Sequence, residues 1–156
     1  MSLIKSISGF RGTIGGKPGD NLTPIDAVKF AAAYGTWLKN QSDKTEYKVI
    51  VGRDARISGQ MVSQLVCSTL QGLGINIIDL GLSTTPTVEV MVTDLRADGG
   101  IILTASHNPK EWNALKLLNA KGEFVSADDG AQILAYVDED DYNFAEVDDL
   151  GSYETF

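Results

Sequence analysis

Apolar positions along the chain switch between two periods. Residues 3–8, 47–51, 75–80 and 100–103 are short runs rich in Ile, Val and Leu bounded by glycine or polar residues, and they predict strands. Between them Ala27, Val28, Ala31, Tyr34 and Leu38, and then Met61, Val62, Leu65, Val66, Leu70 and Leu73, recur at helical spacing. Thr23-Pro24 opens the first helix with proline at its first position, Ser58 is the expected N-cap of the second, and Gly74 is its stop. A third helix runs from Thr85-Pro86 to near Arg96. Beyond the fourth strand, residues 115–118 and 123–125 predict a hairpin turning at Lys121-Gly122, and residues 132–136 a short final helix.

Strands alternating with helices of this length predict an α/β fold. The expected form is a three-layer sandwich, with a mixed, mostly parallel sheet of four to five strands between helices and the reactive loops at the carboxyl edge of the sheet. Arg11, Arg53 and Ser106 each fall just after a predicted strand, hence at that edge.

Length and composition fit one domain: 156 residues, 43% of them hydrophobic, suffice for a single core. The net charge of -8 is unevenly placed. Eight acidic residues and no Lys or Arg follow residue 137, which leaves thirteen charges of each sign before it. The body is therefore neutral, and residues 138–156 read as an acidic linker or domain edge after a domain over 1–137. A neutral body without a basic stripe gives nucleic acid no footprint, and no apolar run has the length of a membrane span. With no secretory leader at Met1-Ser2-Leu3-Ile4-Lys5 and a single cysteine, Cys67, the expectation is a cytoplasmic protein. Cys67 falls in a helical apolar pattern and reads as a small buried hydrophobe.

The candidate chemistry lies at Thr104-Ala105-Ser106-His107-Asn108-Pro109, where an apolar strand delivers a hydroxyl into a turn. Pro109 ends the strand and biases Asn108 away from helix. An acyl-transfer serine fits poorly: the only histidine, His107, is its sequence neighbour, and there is no G-x-S-x-G elbow. Phosphoryl transfer instead asks for cations around the serine, and Arg11, Arg53, Arg56 and Lys116 are placed to supply them. Three functions stay open on these residues: a phosphoryl-transfer enzyme, a serine hydrolase, and a non-catalytic phosphosugar-binding module. Gly15-Gly16-Lys17-Pro18 is not a Walker loop, and Asp138-Glu139-Asp140-Asp141 lacks the glycine and final glutamate of a calcium loop.

Three segments together carry a resemblance: Gly9-Phe10-Arg11-Gly12, residues 51–59 with Gly52-Arg53-Asp54-Ala55-Arg56, and Thr104-Ala105-Ser106-His107-Asn108-Pro109 with Asn113 and Lys116 behind it. From about residue 3 to 137 the chain resembles the N-terminal domain of the phosphohexomutases, the group of phosphomannomutase, phosphoglucomutase and phosphoglucosamine mutase. The resemblance implies that hexose 1-phosphate and hexose 6-phosphate are interconverted through a phosphoserine and a hexose 1,6-bisphosphate intermediate. By position, Ser106 would carry the phosphoryl group and ligate Mg2+ through it, Lys116 would help deprotonate the receiving hydroxyl, Arg11 would steady the phosphoryl group and His107 would shape the loop. Arg53, Thr104 and Asn108 would support binding of the substrate phosphate. Where the family often has Asn-Gly before the lysine's strand, this chain has Asn113-Ala114. The Thr-Ala-Ser form resembles the phosphoglucosamine and phosphomannose branches. The resemblance also implies downstream domains in the same polypeptide that bring the remaining metal ligands and choose the sugar, so this chain alone is expected to fold without catalysing the interconversion.

Overall fold

A computed structural model describes residues 1–156. Eleven elements follow one another: β1 (Ile4–Ser6), β2 (Gly9–Thr13), α1 (Pro24–Lys39), β3 (Tyr47–Arg53), α2 (Gly59–Gly72), β4 (Ile75–Leu82), α3 (Thr85–Asp94), β5 (Gly99–Leu103), β6 (Trp112–Leu118), α4 (Ala127–Glu139) and β7 (Tyr153–Thr155). One sheet runs in the order β1-β2-β6-β5-β3-β4-β7. The predicted α/β class and mixed sheet are present, but the sheet has seven strands rather than four to five. Parallel neighbours (β3–β4, β3–β5, β4–β7) equal antiparallel ones (β1–β2, β2–β6, β5–β6) at three each.

The additional strands come from both ends of the chain. Residues 3–8 do not form one strand ended by Gly9. The chain reverses at residues 7–8, with the Ser6 hydroxyl donating to the Gly9 carbonyl at 2.9 Å, and Gly9 begins β2. A Cβ at Gly9 would overlap the Leu115 carbonyl oxygen, so this glycine allows two strands to approach rather than stopping one. At the other end β7 adds in parallel to β4, with Tyr153 opposite Ile77 and Thr155 opposite Asp79. Its neighbour in the tail is a 3-10 turn over Val147–Asp149. The hairpin expected after β6 is reduced to a single Leu118–Phe124 bridge with Asn119 N–H donating to the Glu123 carbonyl, and the final helix is longer than predicted, spanning Ala127–Glu139.

Alternation in the central strands divides the sheet into two faces. Val49, Val51, Ile75, Ile77, Ile101, Leu103, Leu115 and Leu117 bury against α1, α2 and α4. Ile50, Ile102 and Leu118 point the other way, against Val88 and Val92 of α3. Helix α1 lies between α2 and α4, which is why its burial spreads beyond one stripe to Phe30, Ala32, Ala33 and Trp37. Thr23 and Asp26 close a reciprocal capping box at its start, and Phe10 of β2 stacks on Phe30 with ring centroids 4.0 Å apart.

Because α3 packs mainly on β3 and β5 and meets β6 at its end through Leu118, the same face over β1, β2 and the start of β6 is left open. Arg11 alternates with core-facing Phe10, and Lys116 alternates with core-facing Leu115 and Leu117, so both side chains stand on this open part. In the register Arg11 pairs with Ala114 and Gly9 with Lys116, which makes Arg11 and Lys116 diagonal neighbours, about 7–8 Å apart at the backbone.

The start of β5 is packed with little tolerance. The Tyr34 hydroxyl, fully buried, donates to the Leu118 carbonyl at 2.6 Å, and a Cβ at Gly99 would overlap that hydroxyl and crowd Leu38. Gly99→Ala is expected to destabilise the fold by about 1–3 kcal/mol or more, read as a lower urea midpoint with an unchanged slope. A midpoint equal to wild type would mean that Tyr34 can shift freely.

Candidate active site around Ser106

The loop after β5 turns sharply at Ser106, whose φ is 53°. A left-handed conformation at a residue with a Cβ costs about 1–2 kcal/mol, and something must hold it. Three contacts do so. Ser106 N–H donates to Thr104 Oγ1 at 3.1 Å, Thr104 Oγ1 donates to Asp54 Oδ2 at 2.6 Å, and Arg56 Nη2 donates to the Ser106 carbonyl at 2.8 Å. The turn leaves the Ser106 side chain exposed, with Lys116 Nζ donating to its Oγ at 2.8 Å.

Lys116 and Arg11 both line a groove of about 340 Å³ over the open part of the sheet, floored by Ala114 and edged by Ile4 and Phe124. Ala114, which stands where the resembling family often has glycine, is accommodated there, its N–H taken by the Asn113 side-chain oxygen at 2.8 Å. Asn113 is fully buried, and its Nδ2 donates to Ser58 Oγ at 2.9 Å. That bond replaces the expected capping role of Ser58, whose side chain makes no cap to α2. It ties the start of α2 to the strand that carries Lys116.

Of the residues expected at the site, the structure brings Ser106, Lys116, Arg11 and Thr104 to one edge. Arg11 lies within β2 rather than in a loop after a strand. Thr104 uses its hydroxyl on Asp54 and Ser106. Asn108 holds the turn through its backbone, N–H to the Ala105 carbonyl at 3.0 Å. His107 is exposed on the loop, and Lys116 rather than His107 is the partner of Ser106 Oγ. Arg53 is not brought to the serine. It shares the orientation of Val49 and Val51, toward α2, where it lines a separate polar cavity of about 430 Å³ with Asp79 and Tyr153.

Arg56, expected among the phosphate-neutralising cations, turns back onto its own chain instead. Asp54 pairs with Arg56 at 3.2 Å, whereas Arg53 reaches only the Asp54 carbonyl. No local pattern in Arg53-Asp54-Ala55-Arg56 distinguishes an arginine aimed at a ligand from one that turns back onto its own chain. Cys67 agrees with its sequence reading: burial pushes its thiol up to about 12, so the protonated form prevails at neutral pH. No helix is long and apolar enough to cross a membrane.

A family model described as phosphoglucomutase/phosphomannomutase, alpha/beta/alpha domain I, matches residues 3–144. A phosphoglucomutase/phosphomannomutase of Thermococcus kodakarensis is 35% identical over 142 residues, covering 90% of this chain and 31% of that protein. A phosphoglucosamine mutase of Helicobacter pylori is 41% identical over 107 residues, covering 69% of this chain and 24% of the relative. Among solved structures, one from Thermus thermophilus described as a phosphomannomutase superposes with a TM-score of 0.81 at 30% identity, over 100% of this chain and 34% of that one. The chain thus spans about a third or less of the length of the relatives it matches.

Proposed function

Because this chain belongs to the phosphoglucomutase/phosphomannomutase family and corresponds to its α/β/α domain I, we propose that Ser106 is the phosphoryl carrier of a phosphohexomutase. The reading is carried by one observation: Lys116 Nζ lies 2.8 Å from an exposed Ser106 Oγ, beside a groove that Arg11 also lines. That arrangement suits a group that alternates between hydroxyl and phosphate. A phosphoserine carries a charge of about -1.5 to -2, and Lys116 and Arg11 stand on the face where it would project.

In the proposed step the free hydroxyl of a hexose phosphate attacks the phosphorus on Ser106. The new sugar O–P bond forms as the Oγ–P bond breaks, giving a hexose 1,6-bisphosphate and a free serine. The proton lost by the sugar hydroxyl equals the one that Oγ gains, and Lys116, within hydrogen-bond reach of Oγ, is placed to pass it between them. After the bisphosphate turns over, the same residues run the step backward from its other phosphate. Arg11 holds the phosphoryl oxygens, and Trp112, Asn108 and His107 shape the loop around them.

Mg2+ would be bound through the phosphate on Ser106 and would neutralise charge on the transferring group. No three His, Cys, Asp or Glu side chains in the chain are grouped so that they could hold a metal ion, and Asp54 already accepts from Thr104 and Arg56. The remaining ligands would therefore come from another part of the polypeptide, as would the contacts that choose the sugar. Glucosamine and mannose phosphates are the favoured substrates, on the Thr104-Ala105-Ser106 form of the motif; the names of the similar proteins include both sugars and glucose as well. This chain by itself is expected to fold without turning over hexose phosphates.

Intact mass of the full-length protein tests the reading. A sub-population heavier by one phosphate, mapping to Ser106 and lost on incubation with hexose phosphate, is the expected result. A serine that never carries phosphate, or that a phosphonate acyl-enzyme probe traps, would end it.

A further inference from the structure

The guanidinium of Arg56 has five N–H groups, and all five bond within this chain. Nε donates to Asp54 Oδ2 at 3.2 Å. Nη1 donates to the carbonyls of Pro109 at 2.7 Å and Trp112 at 3.1 Å, and Nη2 to those of Ser106 at 2.8 Å and Asn108 at 2.9 Å. Its side chain is only 11% exposed. No donor remains for a substrate phosphate. Four of the five bonds fall on the backbone of the segment from the left-handed Ser106 to the start of β6, the strand that bears Lys116.

We propose that Arg56, anchored by Asp54, is a positioning residue for phosphoryl transfer: it holds the Ser106 loop so that Oγ stays in line with Lys116. The inference rests on the phosphoryl-carrier reading of Ser106 and extends it to a residue that touches neither phosphate nor sugar. Two anchors fix the strained residue from opposite sides. Asp54 acts through Thr104 on the Ser106 N–H, and Arg56 acts directly on the Ser106 carbonyl. Asp54 and Arg56 are themselves joined twice, by the Nε bond and by Arg56 N–H to Asp54 Oδ1 at 3.2 Å, so the two anchors form one unit at the end of β3. With the guanidinium removed, the carbonyls of residues 106, 108, 109 and 112 lose their common donor, and Ser106 is free to relax out of the left-handed region. Oγ then leaves Lys116 while the groove with Arg11 stays intact.

The test uses the full-length protein with Arg56→Ala and Arg56→Lys, following kcat, KM for hexose phosphate, phosphate on Ser106 by intact mass, and rescue by added guanidinium. Arg56→Ala is expected to lower kcat on the order of 10²-fold with KM nearly unchanged, since a misplacement of about 1 Å suffices for that loss. Millimolar guanidinium should restore much of it, and ammonium should not. Arg56→Lys keeps the charge but places its donors on one nitrogen, so it should resemble Arg56→Ala and not wild type. A raised KM at unchanged kcat would make Arg56 a phosphate contact and overturn the proposal. So would wild-type kinetics in either variant, a kcat loss that guanidinium leaves untouched, or a failure of both variants to fold, which would make the role purely structural. Where only Arg56→Ala fails to fold, Arg56→Lys is read by the same kinetic criteria. Wild-type protein without phosphate on Ser106 would overturn the parent reading as well, whereas phosphorylated wild type with fully active variants overturns the positioning role alone.

Discussion

Ser106→Ala should leave the domain folded and the full-length protein unable to take up phosphate. The side chain is exposed and its Cβ remains. The bonds that fix the turn, from Thr104 to the Ser106 N–H and from Arg56 to its carbonyl, involve backbone atoms that alanine also has. The left-handed φ of 53° is as strained for alanine as for serine, so melting temperature should change little. Chemistry should change greatly, because a two-step transfer through an enzyme-bound phosphate has no route without the carrier. Loss of a covalent nucleophile costs on the order of 10⁴-fold or more in kcat. Isomerisation in a coupled assay should fall by at least about that factor, and the phosphorylated mass species should vanish. If the heavier species persists in the variant, another hydroxyl is the carrier, and Thr104 or Ser58 at the same edge would be examined first.

The parts of the fold legible in the sequence are those governed by neighbours in the chain. Thr23 before Pro24 marks the start of α1, and the periodic Val62, Val66 and Leu70 mark the buried face of α2, because caps and helical stripes are local devices. Strand pairing is not local. Gly9 resembles a strand terminator until Leu115, more than a hundred residues later, lies against it. Likewise β7 is three residues in an acidic tail, its Tyr153 bonded to Asp79 of β4 across 74 positions, and no period or turn signal announces the pairing. In the site, the serine, the lysine and the arginine of β2 were visible as residue types in motifs. What they lacked was direction. Arg53 and Arg56 are three positions apart and chemically identical, yet one faces a cavity beside α2 and the other folds back onto four carbonyls. Only the placement of the 106–112 backbone beside the end of β3 decides between them.

Lys116→Met is expected to be the second most damaging change, and the comparison with Lys116→Arg reveals why. Methionine keeps most of the aliphatic stem on β6, between core-facing Leu115 and Leu117, so stability should hold while the ammonium 2.8 Å from Ser106 Oγ is lost. Positioned acid–base groups contribute roughly 10²–10⁴-fold, and kcat should fall within that range. Lys116 could act by charge alone, stabilising the oxygen that leaves phosphorus, or by carrying the proton between sugar hydroxyl and serine. Arginine separates the two. It retains the positive charge and can reach a phosphate in two places, but it does not give up a proton at any pH the protein survives. A proton carrier therefore predicts that Lys116→Arg is nearly as inactive as Lys116→Met, with phosphate still present on Ser106 because the charged cradle remains. Recovery by arginine to within about tenfold of wild type would assign Lys116 a purely electrostatic role. The proton would then have to pass directly between the sugar hydroxyl and Oγ or through water in the groove beside Arg11.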